Sequence, residues 1–159
     1  MDTSHIYMFI DYDGVVKTYA EWLPNYNRRQ IAPFSHSMIR ILSYFAWRAN
    51  LPAYFIPISS TPGSYSKAEL KTMFEQEYGV YNLDLHPQEP IVPVRLNRQD
   101  YVKNILQKYD VQYHLILDDE FMWYEHENLN YFRTDTFDGI KHDTFCQICN
   151  WIETINPLK

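Results

Sequence analysis

Tyr7-Met8-Phe9-Ile10-Asp11-Tyr12-Asp13-Gly14-Val15-Val16 is the stretch on which the reading of the fold turns. Residues 7–10 form a short apolar and aromatic run, too short for a helix and followed by a glycine turn, which predicts a buried parallel strand. Two carboxylates stand at i and i+2 where the strand stops, and Gly14 lets the chain turn sharply. Ligands of parallel sheets bind in the crevice beyond the strands' carboxyl ends, so Asp11 and Asp13 are expected to share that crevice. Like charges this close repel unless a cation lies between them or one carries a proton. Oxygen ligands suit a hard divalent ion, and Mg²⁺ is the expected one. The plain alternative is a polar turn, since Asp and Gly dominate turns for conformational reasons alone.

A second strand with the same ending argues against that alternative. His114-Leu115-Ile116-Leu117-Asp118-Asp119-Glu120 lies about a hundred residues later and again runs from apolar residues into paired acids. Between the two, Tyr54-Phe55-Ile56-Pro57-Ile58 reads as a strand ending in Ser59-Ser60-Thr61-Pro62-Gly63, a hydroxyl-bearing turn suited to phosphate. Pro57 fits a strand only at a distortion or an edge. Helices are expected over 36–49 (capped by Ser35, with Met38, Ile41, Leu42, Phe45 and Trp47 as its apolar face), over 66–78, over 98–109 and over 143–155. Ser66 and Glu69 form a capping box, Gly79 closes the second helix, and Asn97 caps the third. Further short strands are expected at Ile91-Val92 and near Tyr131-Phe132-Arg133. Alternating strands and helices predict an α/β fold, a three-layer α/β/α Rossmann-like parallel sheet, with residues 1–159 as a single domain.

Composition narrows the function classes. A net charge of -6 argues against a nonspecific nucleic-acid binder, but a local pocket for one phosphorylated end stays possible. No apolar run reaches the ~20 residues of a membrane span. Residues 1–5 lack the pattern of a secretory signal, and Cys146 and Cys149 read as packing thiols on a helix, so a cytoplasmic, reduced protein is expected. The segment 15–33 is a long polar and aromatic loop that directly follows the first carboxylates and is expected to overhang them. Its Tyr19, Trp22 and Tyr26 offer faces for stacking on a base, and Arg28 and Arg29 can pair with a phosphate; a solvated arginine pair is the alternative. Of the six His, His36 and His142 read as helix-start residues, and His126 is a minor candidate for substrate contact.

The order Asp-x-Asp-Gly-Val, Ser-Ser, a basic helix start and Asp-Asp resembles the haloacid dehalogenase (HAD) superfamily of phosphohydrolases. More narrowly, it is similar to the small HAD domains of Swiss Army knife RNA-repair proteins. Those also carry a late Thr-Asp-x-x-x-Gly-Leu segment, here Thr134-Asp135-Thr136-Phe137-Asp138-Gly139-Ile140. By this resemblance Asp11 is the nucleophile and Asp13 the general acid and base. Ser59, or Ser60 beside it, holds the phosphoryl oxygens. Asp119 binds Mg²⁺ with Asp11 and the backbone carbonyl of Asp13, and Asp118 assists or lies behind them. The remaining cation of the family pattern is Arg98, with Lys103 as the alternative. The chain departs from the pattern at Thr61-Pro62, where Trp-Arg is usual, and at Pro57. About forty residues separate the first two motifs, which leaves only a minimal cap and an open site. The resemblance implies a phosphatase acting on a nucleotide or a phosphorylated nucleic-acid end; no obligate protein partner is evident in the sequence. A catalytically silent HAD-fold binding or regulatory domain is the alternative. A phosphotransferase or mutase is disfavoured, because it needs a closed site to exclude water.

Overall fold

In a computed structural model, the protein is described over residues 2–18, 20, 34–63, 65–120 and 128–156. Among the described residues, five parallel strands form one sheet in the order β3-β2-β1-β4-β5. They are β1 (Ile6–Ile10), β2 (Ala53–Pro57), β3 (Leu83–Asp84), β4 (His114–Asp118) and β5 (Tyr131–Arg133). The helices with defined bounds among the described residues are α1 (His36–Ala49), α2 (Lys67–Gln76), α3 (Arg98–Lys108) and α4 (His142–Ile155). β1 and β4 are buried at every position, as expected of central strands covered on both faces.

Alternation along the strands splits the core in two. Ile6, Met8 and Ile10 of β1, with Phe55, Leu115 and Leu117, face α1, α2 and α4. Tyr7, Phe9, Ile56 and Ile116 face the other way, onto Val102 and Ile105 of α3. Three helices therefore cover one face and, among the described residues, α3 alone covers the other. Among the described residues, no helix is long and apolar enough to cross a membrane.

Local chemistry explains most boundaries. The Ser35 hydroxyl accepts from Met38 N–H at 3.3 Å to start α1, and Asn50 ends it in the left-handed region at φ 54°. Both halves of the Ser66/Glu69 capping box form at α2. Asn97 does precede α3, but it adopts φ 53° and its side chain makes no capping bond.

Several expectations need correction. Trp47 is not part of the apolar face of α1; it is 69% exposed. The strand expected at Ile91-Val92 is absent, and the edge position belongs to Leu83–Asp84. The C-cap of α2 is Glu77 rather than Gly79, which follows two residues later at φ 65°. β2 is internal, yet it tolerates Pro57 because β3 pairs only with Ala53 and Tyr54 and leaves the far end of β2 unpaired on that side. Of the two thiols, Cys149 is buried in the core, whereas Cys146 is exposed, 3.7 Å from His142 Nε2.

Candidate active site

The chain leaves β1 toward β2 and leaves β4 toward β5, on opposite sides, so the carboxyl ends of these neighbours form the sheet's switch point. Asp11 follows β1 there, and Asp118 and Asp119 lie at the end of β4. Asp11 N–H still donates to Leu117 carbonyl at 3.0 Å, which holds the two ends in register. The next three residues diverge. Tyr12 turns into the core against Phe34 and Phe55, while its carbonyl accepts from Val15, Val16 and Lys17 and closes a tight turn. Asp13 is exposed. Gly14, at φ 76°, faces Asp119 so closely that a Cβ there would lie 2.6 Å from Asp119 Oδ2.

Asp11, Asp118 and Asp119 each offer a carboxylate oxygen within 4.8 Å of the others. Arg98, the first residue of α3, spans two of them: its Nη1 lies 2.8 Å from Asp118 Oδ2 and 3.3 Å from Asp11 Oδ2. Asp11 Oδ1 accepts from Tyr12 N–H at 2.9 Å, and Asp118 Oδ1 accepts from Glu120 N–H at 3.0 Å. Burial, then the charges of Asp118 and Asp119, push the Asp11 carboxyl up to about 7 against the pull of Arg98. Burial raises Asp118 as well. It also works against the Arg98 charge, yet Asp11 and Asp118 hold that group above the usual arginine range. The like charges that crowd Asp11 thus come from β4, and the Asp13 side chain, expected to share the crevice as a partner charge, is not part of the carboxylate group. Three carboxylates facing one guanidinium leave an excess of negative charge, and an all-oxygen donor set suits a hard divalent ion.

Ser59 follows β2 and is buried; its carbonyl accepts from Val94 N–H at 2.9 Å and its hydroxyl oxygen from Thr61 N–H at 3.1 Å. Ser60 is partly exposed. Arg98 makes the ion pairs with Asp11 and Asp118, whereas Lys103 lies further along α3. Trp22 and Arg28 lie outside the described residues, as do Tyr19, Tyr26, Arg29 and His126.

One contact was not foreseen from sequence. Thr136 Oγ1 donates to Asp119 Oδ2 at 2.5 Å across 17 residues. The only signal for it was its position inside the Thr134–Ile140 segment, in one of the slots where the motif accepts any residue. No curated protein matches the chain. A family model described as the HAD domain in Swiss Army Knife RNA repair proteins matches residues 7–145, a span that includes every candidate site residue from Asp11 to Thr136. The chain therefore belongs to this HAD family.

Proposed function

We propose that the protein is a Mg²⁺-dependent phosphohydrolase acting through an aspartyl-phosphate on Asp11. The observation that carries this reading is the Arg98 guanidinium bridging the buried Asp11 and Asp118, with the partly exposed Asp119 completing a group of three carboxylates. Asp11, Asp119 and the backbone carbonyl of Asp13 would hold the ion, with Asp118 beside them. The ion would supply positive charge that keeps Asp11 ionised and offsets its repulsion from an incoming phosphate. An Asp11 oxygen then attacks phosphorus, and the bond to the leaving oxygen breaks as Asp13 gives that oxygen a proton. Asp13 next takes a proton from water, whose oxygen attacks phosphorus, and Asp11 is released with inorganic phosphate. The exposure of Asp13 suits a group that must exchange protons with solvent. The Ser59 hydroxyl oxygen already accepts from Thr61, and its proton is left to donate to a phosphoryl oxygen.

The substrate is a nucleotide or a phosphorylated nucleic-acid end. The family's description supports that class, and the aromatic and arginine content of the 15–33 segment is consistent with it. The chain acts as one domain, Trp22 and Arg28 of this segment bind the substrate, and the protein works in the cytoplasm. The test is phosphate release with Mg²⁺ across nucleoside monophosphates, phosphorylated oligonucleotides and sugar phosphates. Nucleotides or oligonucleotide ends should be the better substrates, and Asp11→Asn should abolish turnover while keeping the fold. Full activity in excess chelator, or undiminished activity of Asp11→Asn, would refute the mechanism. A preference for sugar phosphates would refute the substrate class.

A further inference from the structure

Arg98 holds Asp11 and Asp118, but Asp119 is held differently. Its Oδ2 lies only 2.6 Å from where a Cβ on Gly14 would stand, and the Thr136 hydroxyl donates to it at 2.5 Å. Thr136 sits at the head of a closed turn between β5 and α4. Asp135 and Gly139 exchange backbone hydrogen bonds at 2.8 and 2.6 Å. Asp135 Oδ1 accepts from Phe137 and Asp138 N–H, each at 2.9 Å, and Asp135 Oδ2 meets Lys141 Nζ at 3.0 Å.

The turn is tied down at both ends. Thr134 N–H donates to Asp118 carbonyl at 3.0 Å, and Gly139 packs so tightly on Met38 and Thr18 that a Cβ would come within 2.9 Å of either. The threonine hydroxyl is thus fixed by backbone bonds and packing rather than by its own rotamer alone. A carboxylate with one oxygen fixed in this way has lost its rotation about the terminal bond, and its other oxygen has a set direction.

We infer that Thr136 is a positioning residue: its hydroxyl fixes the Asp119 carboxylate in the orientation in which it offers an oxygen beside Asp11 and Asp118 to a divalent cation. This rests on reading the carboxylate group as a cation site, and it assigns to the β5–α4 turn a share of the cation affinity.

The test is titration calorimetry of the full chain with Mg²⁺, comparing the wild type with Thr136→Ala, Thr136→Val and Thr136→Ser. Thermal unfolding in chelator is run alongside as a check on the fold. Loss of the hydroxyl should weaken Mg²⁺ binding by roughly 10- to 100-fold, the usual effect of removing a group that orients a metal ligand. The serine variant should bind like the wild type, and chelator melting points should stay close together because Thr136 is exposed. The nearly isosteric valine variant serves if alanine loosens the turn. Wild-type affinity in both the alanine and valine variants would overturn the inference. So would a serine variant as weak as alanine, which would assign the effect to the methyl group. No Mg²⁺ binding by the wild type would instead sink the cation-site reading, and this inference with it.

Discussion

His114 shows what burial does to one titratable side chain. It opens β4, its Nε2 accepts from Asn130 N–H at 3.3 Å, and its Nδ1 has no partner among the described residues. Burial pushes its pKa down to about 4. A depressed histidine contributes stability that is present above its unfolded value near 6.5 and is lost as pH falls toward the folded value. Wild type should therefore lose about 2 kcal/mol from this group between about pH 7 and pH 5. Urea unfolding of wild type and His114→Leu at both values checks this, and an equal pH dependence would exclude the role. The residues that sequence made legible at this scale are those whose neighbours in the chain announce them. Asp11 and the Asp118-Asp119 pair, which the fold brings together, all stand at the ends of apolar runs. Thr136 was not legible, because its meaning comes from a contact with Asp119 that only the turn after β5 creates.

At the scale of elements, the serine N-caps Ser35 and Ser66 were readable, since they depend on neighbours three residues away. α2 has 10 residues and a complete capping box, so Ser66→Ala should cost about 1 kcal/mol, measurable as a lowered unfolding midpoint. An unchanged midpoint would mean that tertiary packing of Leu70 and Phe74 alone sets the stability of this helix. The misread elements have separate causes. β3 is two residues long, too short for any periodicity, and its position was lost to the more apolar Ile91-Val92. Trp47 has helical spacing from the buried face of α1, but at the end of that helix it projects into a groove with Arg40, Tyr44 and Tyr81 instead of onto the sheet. Asn97 marks the right boundary for a conformational reason, a left-handed backbone, rather than for the side-chain bond expected of it.

The molecule places its buried carboxylates, Asp11 and Asp118, where the chain reverses direction along the sheet, and this has a consequence for pH and metal together. Because Asp11 titrates near 7 in the folded, metal-free protein, its protonated form is favoured there. The stability it contributes is present below its unfolded pKa of about 4 and is lost as pH rises through about 7. In chelator, wild type should therefore lose ground to Asp11→Asn as pH rises over that window, and Mg²⁺ should restore wild type most at the alkaline end. Parallel melting curves of the two proteins would show it; a constant gap would count against an elevated Asp11. The parallel α/β architecture was legible because strands and helices alternate along the chain, whereas the unequal coverage of the two faces was not, since it depends on where each crossover passes. That inequality has a dynamic corollary. α3 is the lone described cover of one sheet face, and its first residue is the cation between Asp11 and Asp118. Local opening of this helix would therefore uncover Phe9 and Ile116 and withdraw Arg98 in a single event. A bound phosphate mimic such as beryllium fluoride that engages Arg98 should then slow amide hydrogen exchange along the first turn of α3, so that occupancy at the strand ends is reported as a rate on the far side of the sheet.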